Sequence, residues 1–144
     1  MPQYTEQVTE IMQPLDYGIY QILPVAETIT PYVSLAGFHR AFVWVFFGNM
    51  GPGADVVVQV MQATNVAGAG AVVVLGKATA ETAVPVSHYA IEIQTEELDV
   101  DGGYDCIALR FDVDDNDVEA TWMVWGVVPA YPPVPTTFWT EIVQ

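Results

Sequence analysis

The chain has 144 residues, with 3 lysines and arginines against 18 aspartates and glutamates, so its formal net charge at neutral pH is −15. Only Arg40, Lys77 and Arg110 could neutralise phosphate groups, which argues against nucleic acids and anionic membranes as partners. The single cysteine, Cys106, cannot form an intrachain disulfide, so a hydrophobic core must hold the fold. The length suits one domain, and the longest apolar run, Trp122–Tyr131, is too short to span a bilayer.

Residues 1–30 are predicted to form an N-terminal arm that contains one short helix. The spacing of apolar residues favours a helix over Gln3–Gln13, and Pro14 would end it. We therefore expect this segment to lie outside the main domain.

Residues 31–128 are predicted to form one antiparallel β-sandwich of the jelly-roll or immunoglobulin-like type. β-Branched and aromatic residues recur in runs of strand length, and short linkers rich in Gly, Asn and Asp separate them. A turn is expected at Asn49–Gly53, and a single helical turn, capped by Thr95, is expected at Thr95–Leu98. The predicted strands are Arg40–Phe47, Asp55–Met61, Ala71–Leu75, His88–Gln94, Tyr104–Val113 and Val118–Val128.

Two of the predicted strands lack the apolar–polar alternation of a strand that has one face in water. In Arg40–Phe47, the aromatic residues Phe42, Trp44 and Phe46 share one side, while the other side is apolar too. The strand Val118–Val128 has the same two-sided pattern. Such strands need cover on both faces, and a neighbouring subunit or the chain's own arms could provide the second cover.

Residues 129–144 are predicted to form an extended C-terminal arm, because four of the seven residues from 129 to 135 are prolines. Aromatic side chains are frequent anchors in protein interfaces. The arm would either fold back on its own sandwich or dock on another chain, and the sequence leaves both open. The candidate interface residues are Phe138, Trp139, Ile142 and Val143.

Few residues could carry catalysis, so the chain is not expected to be an enzyme. His39 and His88 lack the spacing of metal ligands, and Cys106 follows Asp105 instead of a base that could activate its thiol. We predict no catalytic residue, no metal ligand and no cofactor.

The acidic stretch Asp112–Glu119 has oxygen ligands at alternate positions, as a calcium loop does. However, Asp117 stands where an EF-hand needs glycine, and Met123 stands where it needs a bidentate acid. The alternative to a calcium site is a polar hairpin that keeps the surface soluble.

Three segments together resemble a group of small tailed-phage virion proteins that accompany the capsid gene. They are Tyr32–Val43 with its V-S-L-A-G-F entry, Val60–Ala71 with Q-A-T-N-V-A-G-A-G-A, and Ile91–Ile107 with E-E-L-D-V-D-G-G-Y-D. The likeness covers about residues 32 to 128.

The resemblance implies a structural role in the virion, and we expect a capsid decoration (cement) protein on the outside of the shell. Its partners would be the major capsid protein and further copies of itself, with a trimer favoured. The alternatives are a head–tail connector, a tail or fibre component, or a carbohydrate- or calcium-binding β-module.

Overall fold

Nine β-strands make up most of residues 12–79 and 83–127, which are the residues that the computed structural model describes. A 3₁₀ turn over Thr95–Glu97 is the one helical element in these two stretches, so neither contains a helix able to cross a membrane. The strands are β1 (Met12–Leu23), β2 (Ala26–Ile29), β3 (Val33–Ser34), β4 (Arg40–Met50), β5 (Asp55–Ala63), β6 (Val72–Ala78), β7 (Ser87–Gln94), β8 (Cys106–Asp114) and β9 (Val118–Val127).

The strands form two antiparallel sheets that pack face to face. Sheet I has the order β1-β9-β4-β7, and sheet II has the order β2-β8-β5-β6. Strand β3 also pairs with β8, so β2 and β3 act as one interrupted strand. Only β5 and β6 are consecutive strands that lie side by side, and the other connections cross between the sheets or link β2 to β3. The predicted all-β sandwich is therefore confirmed, and its topology is that of an eight-stranded jelly roll.

Aromatic rings from both sheets meet in the core. Phe47 and Trp122 come from sheet I, and Phe111 comes from sheet II. The ring centroid of Phe111 lies 6.5 Å from that of Phe47 and 5.1 Å from that of Trp122. Valines fill the space around these rings because every second residue of β4 and β5 points inward, and they include Val43, Val45, Val56, Val58 and Val60.

The sandwich begins earlier in the chain than the sequence analysis predicted. Residues 12–30 were assigned to an arm, but β1 pairs with β9 and β2 pairs with β8. Leu23 at the end of β1 is buried in the core, which an arm outside the domain would not allow. The predicted helix Gln3–Gln13 lies mostly outside the described residues, and its last two residues, Met12 and Gln13, belong to β1.

Two local predictions also need correction. The turn expected from Asn49 starts later, because β4 continues to Met50 across an irregularity in its pairing with β9. The short helical turn is present, but its N-cap residue is Gln94 instead of Thr95. The side chain of Glu97 accepts a 2.7 Å hydrogen bond from the Gln94 N–H and so completes a capping box.

Lys77 joins the two sheets where β6 of sheet II approaches β7 of sheet I. Its Nζ donates a 2.8 Å hydrogen bond to the backbone carbonyl of Glu92. The same ammonium group lies 3.0 Å from a carboxylate oxygen of Glu97. One basic side chain thus links a strand of one sheet to a strand and a turn of the other.

Turns from distant parts of the chain meet at one end of the sandwich. The ring of Tyr32 lies so close to Gly68 that a Cβ there would meet its Cε2 at 2.9 Å. The hydroxyl of Tyr104 donates a 2.8 Å hydrogen bond to the carbonyl of Gly70. Both glycines have positive φ, +84° and +66°, which glycine adopts without strain. Each also leaves little room for a side chain beside the neighbouring tyrosine. The three segments that carry the sequence resemblance therefore pack against one another here.

Candidate interaction surface

The outer face of sheet I is apolar and rich in aromatic residues. Residues that are partners in the strand register share a face of the sheet. Trp44 is the register partner of Met123, which is also the partner of Tyr17. Phe42 is the register partner of Trp125 in the next row. We call this surface the aromatic face, and its members are Tyr17, Phe42, Trp44, Phe46, Met123 and Trp125.

Strand β4 shows how differently its two sides are covered. Val43 and Val45 are fully buried between the sheets, whereas Trp44 between them keeps 40% of its surface exposed. Tyr17, on the edge strand β1 of the same sheet, is 63% exposed. Large apolar side chains seldom form a contiguous exposed patch on a protein that works alone. The outer side of sheet I is thus less well covered than its inner side, since Tyr17 and Trp44 are exposed and the other four members of the aromatic face are half-buried.

A shallow concavity of about 560 Å³ lies at one part of the aromatic face. Its floor is formed by β4 and β9, and its rim is formed by β1 on one side and β7 on the other. The exposed lining is mostly carbon, and its polar groups are the His88 imidazole, the Trp44 indole N–H and the hydroxyls of Tyr20 and Thr121. The lining residues are Ile19, Tyr20, Trp44, Phe46, His88, Thr121 and Met123.

A bulge in β1 builds the rim of the concavity. The pairing of β1 with β9 shifts register between Gly18 and Gln21, and Tyr20 has a φ of +51°, which is unusual for a bulky residue. The backbone N–H of Tyr20 donates a 3.0 Å hydrogen bond to Oγ1 of Thr121. This bond holds the bulge on the sheet, while the side chains of Ile19 and Tyr20 stay 53% and 72% exposed.

Trp122 fixes the strand that carries this bulge. Its ring enters the core, and its indole N–H donates a 3.2 Å hydrogen bond to Oδ2 of Asp16 in β1. Gly18 lies directly against the same ring, where a Cβ would overlap the six-membered part of the indole. Glycine is therefore the residue that lets β1 lie this close to Trp122, and the position of β1 sets the shape of the concavity.

Charged residues stand at the margins of the aromatic face. Arg40 and Glu92 form a salt bridge near Phe42 at one end. Glu119 lies opposite Ile22 at the other end. The middle of the face carries no charge, so covering it would not require the desolvation of an ionised group.

The outer face of sheet II carries more charged residues than that of sheet I. Arg110 lies 3.2 Å from Asp112 and 3.8 Å from Glu27, and these carboxylates leave it no excess positive charge. Asp55 and Asp114 are register partners, so two like charges stand opposite each other. Partial burial, with a further contribution from the neighbouring acidic residues, raises the pKa of Asp55 above its usual range. The outer face of sheet II thus carries several acidic residues beside exposed apolar ones such as Ile29 and Leu75, whereas the middle of the aromatic face carries no charge.

The predicted interface residues Phe138, Trp139, Ile142 and Val143 lie outside the described residues. The structure does define where their segment starts. Val127, the last residue of β9, lies at the end of sheet I beside Met12 and Arg40. The segment 128–144 therefore leaves from a central strand of the sheet that carries the aromatic face.

The histidines and the cysteine do not come together. His39 precedes β4 and His88 pairs with Phe46, so the two lie about 20 Å apart along the strand direction. Cys106 is buried, and this burial together with its hydrogen bond to Asp105 raises the pKa of its thiol to about 11. Within the two described stretches, no group of three His, Cys, Asp or Glu residues could hold a metal ion, and this includes the acidic hairpin at 112–119.

The sequence analysis missed the contribution of β1 to this surface. Tyr17, Ile19 and Tyr20 had been assigned to the N-terminal arm, although tyrosine and isoleucine favour strands. The density of such residues between Leu15 and Leu23 was the signal available in the sequence. The two-sided pattern of β4 and β9, in contrast, did predict that the outer side of these strands is apolar and that Trp44 lies on it.

Comparison with known proteins adds no relative to these observations. No protein-family model matches the chain, and no curated protein matches it in sequence.

Proposed function

We propose that the chain is a structural protein of a phage virion, a decoration or cement protein that binds the outside of the major capsid shell. The observation that carries the proposal is the division of the surface into one uncharged aromatic side and one acidic side. The aromatic side would be covered by contacts within the shell assembly, and the acidic side would face the surroundings.

The charge distribution suits such an exterior position. The chain carries a net charge of −15, and its three basic residues all lie beside carboxylates in salt bridges. A strongly negative outer surface keeps particles apart and disfavours non-specific contact with nucleic acids. The aromatic side, whose middle is uncharged, would gain free energy from being covered.

The fold and the sequence resemblance support the same role. The jelly roll occurs in viral capsid domains, although it also occurs in lectins and enzymes, so this support is an analogy of fold alone. The resemblance of residues 32–128 to small phage virion proteins rests on turns that pack together at one end of the sandwich. These turns stabilise the fold and carry no catalytic group, which agrees with a protein whose role is structural.

Modest contacts are sufficient for a protein of this kind. A shell presents many equivalent sites, and binding that involves several linked contacts gains avidity without any single strong contact. Aromatic residues held on rigid strands supply large apolar area with little loss of conformational entropy.

The proposal can be tested by counting copies in purified particles that contain the chain. Quantitative mass spectrometry should give an abundance close to that of the major capsid protein, and limited surface proteolysis should reach the acidic side before the capsid protein. An abundance of about a dozen copies would instead indicate a connector ring. Absence from purified particles would refute a virion role altogether.

A further inference from the structure

We propose that the concavity on the aromatic face is the docking site for the proline-rich segment 128–144 of a neighbouring copy, with Phe138 and Trp139 as its anchors. This inference rests on the proposed function and names a second copy of the chain as the partner at the aromatic face.

The acceptor is a cleft of suitable size and chemistry on a rigid support. It has a volume of about 560 Å³, and Trp44, Phe46 and Met123 on the two central strands form its floor. The segment offers matching side chains, because residues 136–144 contain Phe138, Trp139, one acidic residue and no basic residue. Two aromatic rings would fill an uncharged cleft without burying a charge.

The starting point of the segment faces away from the concavity of its own molecule. Strand β9 runs from Val118 to Val127, and the concavity lies beside Thr121 and Met123 in this strand. A return from Val127 to the row of Met123, the nearer end of the concavity, covers four residues of strand, or about 13 Å. The segment would have to reverse its direction before it could cover that distance.

The composition of the segment disfavours such a reversal. From 128 to 135, every residue except Ala130 is a proline or directly precedes one. Proline fixes its own φ, and the residue before a proline avoids the helical region, so both favour extended backbone. Eight extended residues of this kind span about 25 Å.

For a segment that continues extended in the direction of β9, these lengths place the anchors out of reach of their own molecule. Such a run would end about 25 Å beyond the sheet, and a return to the concavity would add about 13 Å more. Residues 136–138 can span only about 11 Å. The cleft that an extended segment can reach is therefore the cleft of an adjacent copy.

An exchange of this type fits a closed ring. Each copy would give one segment and accept one, which makes the contact heterologous, and such contacts close into a ring when the rotation between copies allows it. A ring of three copies agrees with the trimer that the sequence analysis favoured, and rings linked in this way would reinforce a shell from outside.

The test uses two full-length variants that each remove one half of the contact. The segment variant is Phe138→Ala with Trp139→Ala, and the face variant is Trp44→Thr, which keeps a strand-forming residue on the outer side of β4. Leu75→Ser is the matched control, since Leu75 is 87% exposed but lies on β6 of the other sheet. Analytical ultracentrifugation over a concentration series measures the association of each protein, and thermal melting checks that each one folds.

We expect the unaltered chain to form a concentration-dependent oligomer. The segment variant and the face variant should each have a dissociation constant that is higher by about 30-fold or more. The control should associate like the unaltered chain. The decisive result is an equimolar mixture of the two variants, which should form a dimer because one variant keeps the segment and the other keeps the cleft. If Trp44→Thr fails to fold, Phe46→Thr removes another part of the floor of the same cleft.

A chain that stays monomeric at high concentration would overturn the inference, and so would a mixture that fails to complement. If the segment variant melts at a lower temperature as a monomer, the segment docks on its own molecule and the exchange is wrong. The proposed function has its own readout: a monomer in solution that is still as abundant as the capsid protein in particles would refute only the exchange.

Discussion

Phe46 and Phe47 are adjacent in β4 but should respond to alanine substitution in opposite ways. Phe47 is fully buried, and its ring contacts Phe111 at 6.5 Å and Tyr89 at 6.0 Å between centroids. Burial of a phenylalanine side chain contributes about 1.5–3 kcal/mol. The cavity left by its removal and the lost ring contacts add to this value. Phe47→Ala should therefore lower the free energy of unfolding by about 3–5 kcal/mol.

Phe46 lies on the outer side of the same strand, at the aromatic face. In a dilute monomer its ring has solvent or the open concavity on one side, so Phe46→Ala should cost about 1 kcal/mol or less. The strand propensity lost on changing phenylalanine to alanine is similar at both positions, which makes the two variants controls for each other.

Urea denaturation at low protein concentration measures both values, and the m-values show whether the unfolding transition stays comparable. The melting temperature of Phe47→Ala should fall by on the order of 10 °C or more. If Phe46→Ala proves as costly as Phe47→Ala in the dilute protein, the aromatic face is already covered within the monomer. That result would contradict the reasoning that another copy covers it.

Three further outcomes are expected. Gly18→Ala should lower the melting temperature by several degrees, because a Cβ at residue 18 would overlap the Trp122 ring; an unchanged melting curve would show that β1 adjusts freely. Burial raises the pKa of Cys106 from 9.0 to about 11, so stability should fall as pH rises through this window, and a thiol reagent should label the native chain far more slowly than the urea-unfolded chain. Glu97 has a lowered pKa because the Gln94 N–H and a lysine stabilise its charged form, so its contribution is present at neutral pH and lost on acidification. Glu97→Gln should cost less than about 1 kcal/mol at neutral pH and flatten the acid side of the stability profile; an unchanged profile would argue against this contribution.

The sequence predicted the core of the sandwich well, because alternation and strand composition report directly on burial. The inward valines of β4 and β5, and the outward placement of Phe42, Trp44 and Phe46, follow from a period of two residues. The choice of a jelly roll over an immunoglobulin-like fold did not follow from the sequence. It depends on which strands pair across the sheets, and such pairings leave no local pattern.

The start of the domain was predicted poorly for a different physical reason. β1 contains Pro14 and Gly18, which usually weaken a strand. Here the edge position tolerates the proline, and the glycine makes room for the ring of Trp122, more than 100 residues further along the chain. The concavity depends on that same long-range contact and on the bulge beside it, so no short window of sequence could have predicted it.

The hydrogen bond from Lys77 to the Glu92 carbonyl also affects whether another molecule can add a strand to sheet I. An open edge strand offers unpaired N–H and C=O groups to any extended peptide, which leads to runaway sheet growth. At the β7 edge, Lys77 occupies the carbonyl of Glu92 and adds a charge, while the β1 edge is broken by two shifts in register. Both edges of sheet I are therefore poor templates for strand addition, so the sheet that carries the aromatic face is protected from growth through its own edges.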